Sequence, residues 1–162
     1  MPQKSAPTGT PAAEIDLSQV ADLLAGRRWF GGGALENPLE LHDRLVRGLP
    51  ASALKHFANH CPLLAKDPAR DRILGSAPAP REKLPGHRTG RLSSHESGQL
   101  WRLATMVIRA APVFGGTEAA ERWLVHPAFG LDRRRPLDLL ETPAGVAIVS
   151  DHLVQLAFGV YI

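Results

Sequence analysis

The stretch LSSHESGQLWRLATMVIRAAPVFGG does most to limit what this chain can fold into, because its apolar residues recur at a helical period. Leu100, Leu103, Val107 and Ile108 fall on one stripe. Ser93-x-x-Glu96 ahead of them has the form of a capping box, in which each side chain meets the other residue's backbone N–H. The pattern predicts a long helix from about Ser94 to Ala111. GTEAAERWLVHPAFGL predicts another, with Thr117 as N-cap, Trp123 and Leu124 facing the core, and a stop before Pro127. Pro136 to Leu140 reads as a single turn. Thr142 then caps a last helix that has Pro143 at its first position and Gly159 as its terminator.

The first half is more broken. Ile15, Val20, Leu23 and Leu24, with Gly26 behind them, predict a helix from Ile15 to Leu24. RRWFGGGALENP follows as a turn with Trp29 and Phe30 beneath it. Asn37 and Pro38 open a second helix that runs to Val46 and closes at Gly48, and Leu49, Leu54 and Phe57 continue at helical spacing. Pro62, Pro68, Pro78, Pro80 and Pro85 leave room only for short helices in KDPARDRILG and APREKL. No segment alternates as a strand would, so the expected class is all-α, with a broken helical first half and a more regular helical second half.

Composition agrees. Apolar residues make up 44% and charged residues 22%, with a formal net charge of +3, which suits a globular chain. The single cysteine, Cys61, excludes an internal disulfide framework and fits a reducing cytoplasm. No apolar run is long enough to span a membrane, and MPQKSAPTGTPAAE lacks the apolar region of a secretory signal, so a cytoplasmic protein with no membrane partner is expected. Residues 1–13 bring little to bury and read as a disordered tail. Residues 1–91 hold thirteen Lys and Arg against nine Asp and Glu, while residues 92–162 hold six against seven. That asymmetry fits either a nucleic-acid-facing first half or an ordinary solvated surface.

Catalytic constellations are poor. Gly31, Gly32 and Gly33 precede no Gly-Lys-Ser/Thr and follow no strand, so they are read as a turn rather than a phosphate loop. His56 and His60 share a helix face but have no third ligand at a suggestive distance, and read as surface histidines. Asp151 and His152 are sequence neighbours and point apart on a helix, and Glu96 is accounted for as a cap. We therefore expect no enzyme, no cofactor and no metal.

Residues 91–162 as a whole resemble the toxin-binding domain of the Xre/MbcA/ParS antitoxins. The match is carried by Glu96-Ser97 with Arg102-Leu103, Val113-Phe114-Gly115, Trp123-Leu124 with Pro127, Arg135-Pro136-Leu137-Asp138-Leu139-Leu140, Thr142 with Gly145, and Gly159. Upstream, GLPASALKHF resembles the entry to the helix-turn-helix region that such antitoxins often carry. Gln99 stands where the family usually has a basic residue, and Arg133-Arg134 replace a glycine-containing turn. The resemblance implies domains at residues 14–91 and 92–162. It also implies an antitoxin that blocks the cleft of a cognate RES-domain, NAD-using toxin, as a homodimer or as a heterotetramer with it. Expected toxin contacts are Arg133, Arg134, Arg135, Gly159, Val160, Tyr161 and Ile162.

The alternative is a repressor of its own operon, alone or as the toxin complex. Pro78, Pro80 and Pro85 break the region where a recognition helix belongs, so sequence-specific reading is not expected of the chain alone. Arg81, Lys83, Arg88 and Arg91 remain candidates for phosphates of operator DNA. The closing FGVYI, an apolar run behind a helix terminator, is either a last layer of the core or a peptide offered to a partner's pocket.

Overall fold

The computed structural model describes residues 17–24, 26, 37–75 and 90–159, and among them the chain is helical. The helices are α1 (Leu17–Leu24), α2 (Pro38–Arg47), α3 (Ser52–His60), α4 (Pro62–Lys66), α5 (Pro68–Leu74), α6 (Ser94–Phe114), α7 (Thr117–Val125), α8 (Pro136–Leu139) and α9 (Pro143–Ala157). A 3₁₀ turn at Phe129–Leu131 lies between α7 and α8. Among the described residues the only β-type pairings are two isolated bridges, Pro50 with Arg91 and Ala128 with Arg134. The all-α expectation holds.

Local chemistry explains most boundaries. The Ser93 hydroxyl accepts the Glu96 N–H at 3.1 Å and the Glu96 carboxylate accepts the Ser93 N–H at 2.9 Å, which completes the capping box. Asn37 caps α2 through the Leu39 N–H, and Thr142 caps α9 through the Gly145 N–H. Helix α6 runs on to Phe114, past the expected end at Ala111, with Pro112 inside its last turn. Gly115, at φ +89°, then stops it, and the N–H groups of Gly115 and Gly116 both return to the Ala111 carbonyl. The α7 N-cap is Gly116, so Thr117 is the first helical residue rather than the cap. Ile15, the turn at Trp29–Gly33 and the helix expected in APREKL lie outside the described residues.

Helix α6 is the spine. It buries Ser97, Leu100, Trp101, Leu103, Ala104, Met106, Val107 and Ala110, and it packs against α1, α2, α5, α7 and α9. One core thus joins Val20, Leu24, Phe57 and Leu64 of the first half to Leu124, Leu137 and Val149 of the second. Each fully buried leucine of this core contributes about 1.5–3 kcal/mol.

Two buried polar side chains stitch the halves together. The Ser97 hydroxyl donates to the Ser93 carbonyl at 2.7 Å and accepts the Leu49 N–H at 2.8 Å. Beside it Gly48 stands at φ +88°, where an added Cβ would lie 2.1 Å from the Leu92 carbonyl oxygen, so only glycine lets the chain pass. Glu121 on α7, 1% exposed, places one oxygen 3.1 Å from both the Leu63 and Leu64 N–H groups. Those are orphan donors at the start of α4, which has no cap of its own.

Burial pushes the Glu121 carboxyl above the ordinary carboxylate range; the Leu64 and Leu63 N–H bonds offset only part of this, and nearby Glu118 adds to it. A carboxyl raised on folding favours the folded state most at pH below its unfolded value, and that contribution disappears as pH rises through the folded value. Glu121→Gln keeps the acceptor oxygen and removes the charge, so it should match or exceed the wild type in stability at pH 7 and lose this pH dependence. Glu121→Ala leaves the buried Leu64 donor and the part-buried Leu63 donor without this acceptor and should cost about 1–3 kcal/mol. Urea denaturation of the three proteins at pH 4.5 and pH 7 checks both expectations.

Candidate functional site

The chain from Pro127 to Phe158 builds the surface on which the sequence-predicted contacts meet. After α7, the backbone folds a tight knuckle over residues 128–134, closed by four hydrogen bonds. Ala128 N–H donates to the Arg134 carbonyl, Leu131 and Arg133 N–H both donate to the Ala128 carbonyl, and Arg134 N–H donates to the Leu131 carbonyl. Ala128 and Leu131 are buried beneath it. Asp132 and Arg133 both lie in the left-handed region, at φ 53° and 60°, conformations that cost residues with a side chain and that glycine takes freely.

The three arginines of this loop have different fates. Arg133 and Arg134 are exposed, and the Arg133 guanidinium sits 5.9 Å from the centre of the Phe129 ring. Arg135 turns inward: its Nη2 donates to Asp67 Oδ2 at 2.6 Å, and its Nε lies 3.5 Å from Asp138 Oδ2. A run expected to face a partner as one block is therefore split between surface and internal clamp. Asp67 also caps α5 through the Ala69 N–H. Arg72 of α5 extends the network to Asp138 at 3.1 Å and Glu141 at 2.6 Å. Burial pushes the Asp67 carboxyl up, yet the Ala69 N–H and the Arg135 guanidinium outweigh it and hold the group below its ordinary range.

Helix α9 is seated from both ends. At its start, a Cβ on Gly145 would lie 1.9 Å from the Leu139 carbonyl oxygen, so the end of α8 packs directly on bare backbone. Further along, a Cβ on Gly130 would come within 2.3 Å of the His152 ring, which sets the knuckle against α9. His152 in turn stacks on Trp123 at 6.2 Å, and Trp123 on Phe114 at 4.8 Å, a ladder that joins α9, α7 and α6. Trp123 is half-buried in this ladder, while Trp101 is buried.

The outward face of α9 carries Ala144, Ala147, Ile148, Asp151, Val154 and Phe158, all exposed, with Ile148 at 51% and Phe158 at 64%. Its inward face buries Gly145, Val149 and Leu153. The helix is apolar on both sides, as helices covered on both sides are. Sequence reading passed over this outer face and Phe129, because a helical period marks apolar positions without telling which of two apolar faces the fold covers. Gly159 follows the helix at φ +66°, as its expected role as terminator requires. Val160, Tyr161 and Ile162 lie outside the described residues, as do Arg81, Lys83 and Arg88. Arg91 is exposed, and its backbone forms the bridge to Pro50.

Little here supports covalent chemistry. Burial, with the charge of Glu121 adding to it, pushes the Cys61 thiol up to about 12, so it stays protonated. His56 and His60 are exposed with rings 6.4 Å apart, and His60 Nδ1 is engaged by the His56 carbonyl at 2.9 Å. Among the described residues no three His, Cys, Asp or Glu side chains gather as metal ligands would, and no helix is long and apolar enough to cross a membrane.

Residues 109–159 match the family described as the antitoxin Xre/MbcA/ParS C-terminal toxin-binding domain. An antitoxin Xre of Pseudomonas putida is 30% identical over 125 residues, covering 77% of this chain and 76% of that protein. An antitoxin Xre of Yersinia enterocolitica is 35% identical over 92 residues, covering 55% of this chain and 62% of that one. The first alignment is too long to fit within residues 92–162, so the likeness reaches well into the first half.

The Asp67–Arg135 pair gives a test of how the surface is held. A carboxylate lowered on folding stabilises the protein above its ordinary range, and that stability is lost as pH falls through the lowered value. Asp67→Ala removes both the α5 cap and the Arg135 partner and should cost about 1–2 kcal/mol at pH 7. The gap to wild type should close as the pH is taken into the acid range, as followed by denaturant midpoints at each pH.

Proposed function

The chain belongs to the Xre antitoxin family, and from that premise we propose that it neutralises a RES-domain, NAD-using toxin by docking its C-terminal helices onto the toxin and closing the active-site cleft. The observation that carries this reading is α9, whose outward face leaves Ile148 and Val154 exposed, with Phe158 exposed at its C-cap, on a helix already packed on its other side. Exposed together, these side chains form an apolar face of the kind that marks a protein interface. Asp151 is the one charged residue among them, and charge depletion is what separates the centre of an interface from its rim.

An inhibitor of this kind needs no chemistry of its own. It needs a preformed surface and an element that reaches the cleft. We assign the second task to Val160, Tyr161 and Ile162, the apolar residues that follow Gly159 in the sequence, and a rim role to Arg133 and Arg134. The working partner is the toxin in a heterotetramer, or a homodimer of this chain before the toxin joins, within the cytoplasm.

Two variants test the reading in cells that co-express the protein encoded beside this chain. Removing Val160–Ile162, or replacing exposed Val154 by Asp, should abolish rescue of growth. The melting temperature of Val154→Asp should stay within about 2 °C of wild type, because surface changes away from caps and core usually stay within about 0.5 kcal/mol. Full rescue by both variants would sink the proposal.

A further inference from the structure

We infer that Phe129 is the anchor of the toxin interface: with Arg133 laid over its ring, it enters an apolar socket rimmed by carboxylates on the toxin. This rests on the antitoxin reading above and names a contact that the reading does not contain.

Phe129 is 85% exposed, more than Leu39, Ile148 or Phe158, and it stands on a segment that has almost no freedom to withdraw it. Four backbone hydrogen bonds close the knuckle, Ala128 and Leu131 root it in the core, and Gly130 is pressed against the His152 ring. A rigid aromatic held out of the surface needs little ordering on binding, which is how an anchor side chain gains affinity. Two adjacent residues with side chains, Asp132 and Arg133, hold left-handed conformations to bring Arg133 back over Phe129. Strain of this sort persists where surrounding structure over-determines it, and it gathers at ligand clamps.

The surrounding charge selects the socket. Arg133 lies over the ring and Arg134, next to it in sequence, is exposed, and an aromatic that carries a guanidinium over its face is complementary to an apolar pocket bearing Asp or Glu at its edge. The base of the knuckle is fixed from outside the family-matched residues, because Arg135 is tied to Asp67 at the head of α5. Arg135 is accordingly a positioning residue, and Arg133 the one that meets the partner.

The experiment measures binding of the full chain to the purified product of the adjacent reading frame, by titration calorimetry at two salt concentrations. Phe129→Ala should raise Kd by roughly tenfold or more, as loss of an interface anchor does. Its melting temperature should not fall, since little of the ring is buried, and Phe129→Trp should retain most of the affinity. Arg133→Gly keeps the backbone conformation and removes the guanidinium, so it should weaken binding several-fold and flatten the salt dependence. If wild type binds and Phe129→Ala binds within about twofold of it, the anchor is overturned and the antitoxin reading stands. If Phe129→Ala weakens binding but Arg133→Gly changes neither affinity nor salt dependence, the carboxylate rim is overturned. If wild type shows no binding, the toxin pairing itself falls and takes this inference with it.

Discussion

A helix that buries side chains around well over half its circumference has to be covered from several directions at once, and α6 is such a helix. Ser97 and Trp101 lie on one flank, Met106 and Ala110 on another, with Leu100, Leu103, Ala104 and Val107 between. Helices α1, α2 and α5 pack on part of that surface, and α7 and α9 on another part. The first half is therefore structural support for the second, whatever else it does. Disturbance of α1 or α5 is felt at the far side of α6.

The elements legible in the sequence are those whose cause is local. The Ser93–Glu96 capping box, the Asn37 and Thr142 caps and the prolines at helix starts depend on residues within four positions of one another, and each is where the pattern placed it. The Thr117 cap failed for a local reason too: Gly116, at φ 142°, already performs the turn a cap residue makes, so the helix begins one residue later. The contacts that assemble the surface are of another kind. Ser97 meets Leu49, Glu121 meets Leu63 and Leu64, and Arg135 meets Asp67. These partners lie about fifty to seventy residues apart in sequence, and no periodicity announces them.

The arginine run shows how far one such contact can alter a reading. Read as letters, Arg133, Arg134 and Arg135 are a basic block. Because the backbone is left-handed at Asp132 and Arg133, neighbours in sequence part company: one is folded over an aromatic ring, one is solvated, and one is drawn between Asp67 and Asp138. That Phe129 and the outer face of α9 went unseen has the same root, since exposure is a property of what the fold fails to cover.

Cys61 is the only thiol in the chain, it ends α3 and begins α4, and burial beside Glu121 keeps it protonated. A thiol reagent can reach it only when the core around it opens. The rate at which it is modified is then a clock for that opening in the intact protein, read without any added label. The same silence in the closed state leaves the rest of the surface open to single engineered cysteines, so that motion of the outer face can be timed against motion of the support behind it.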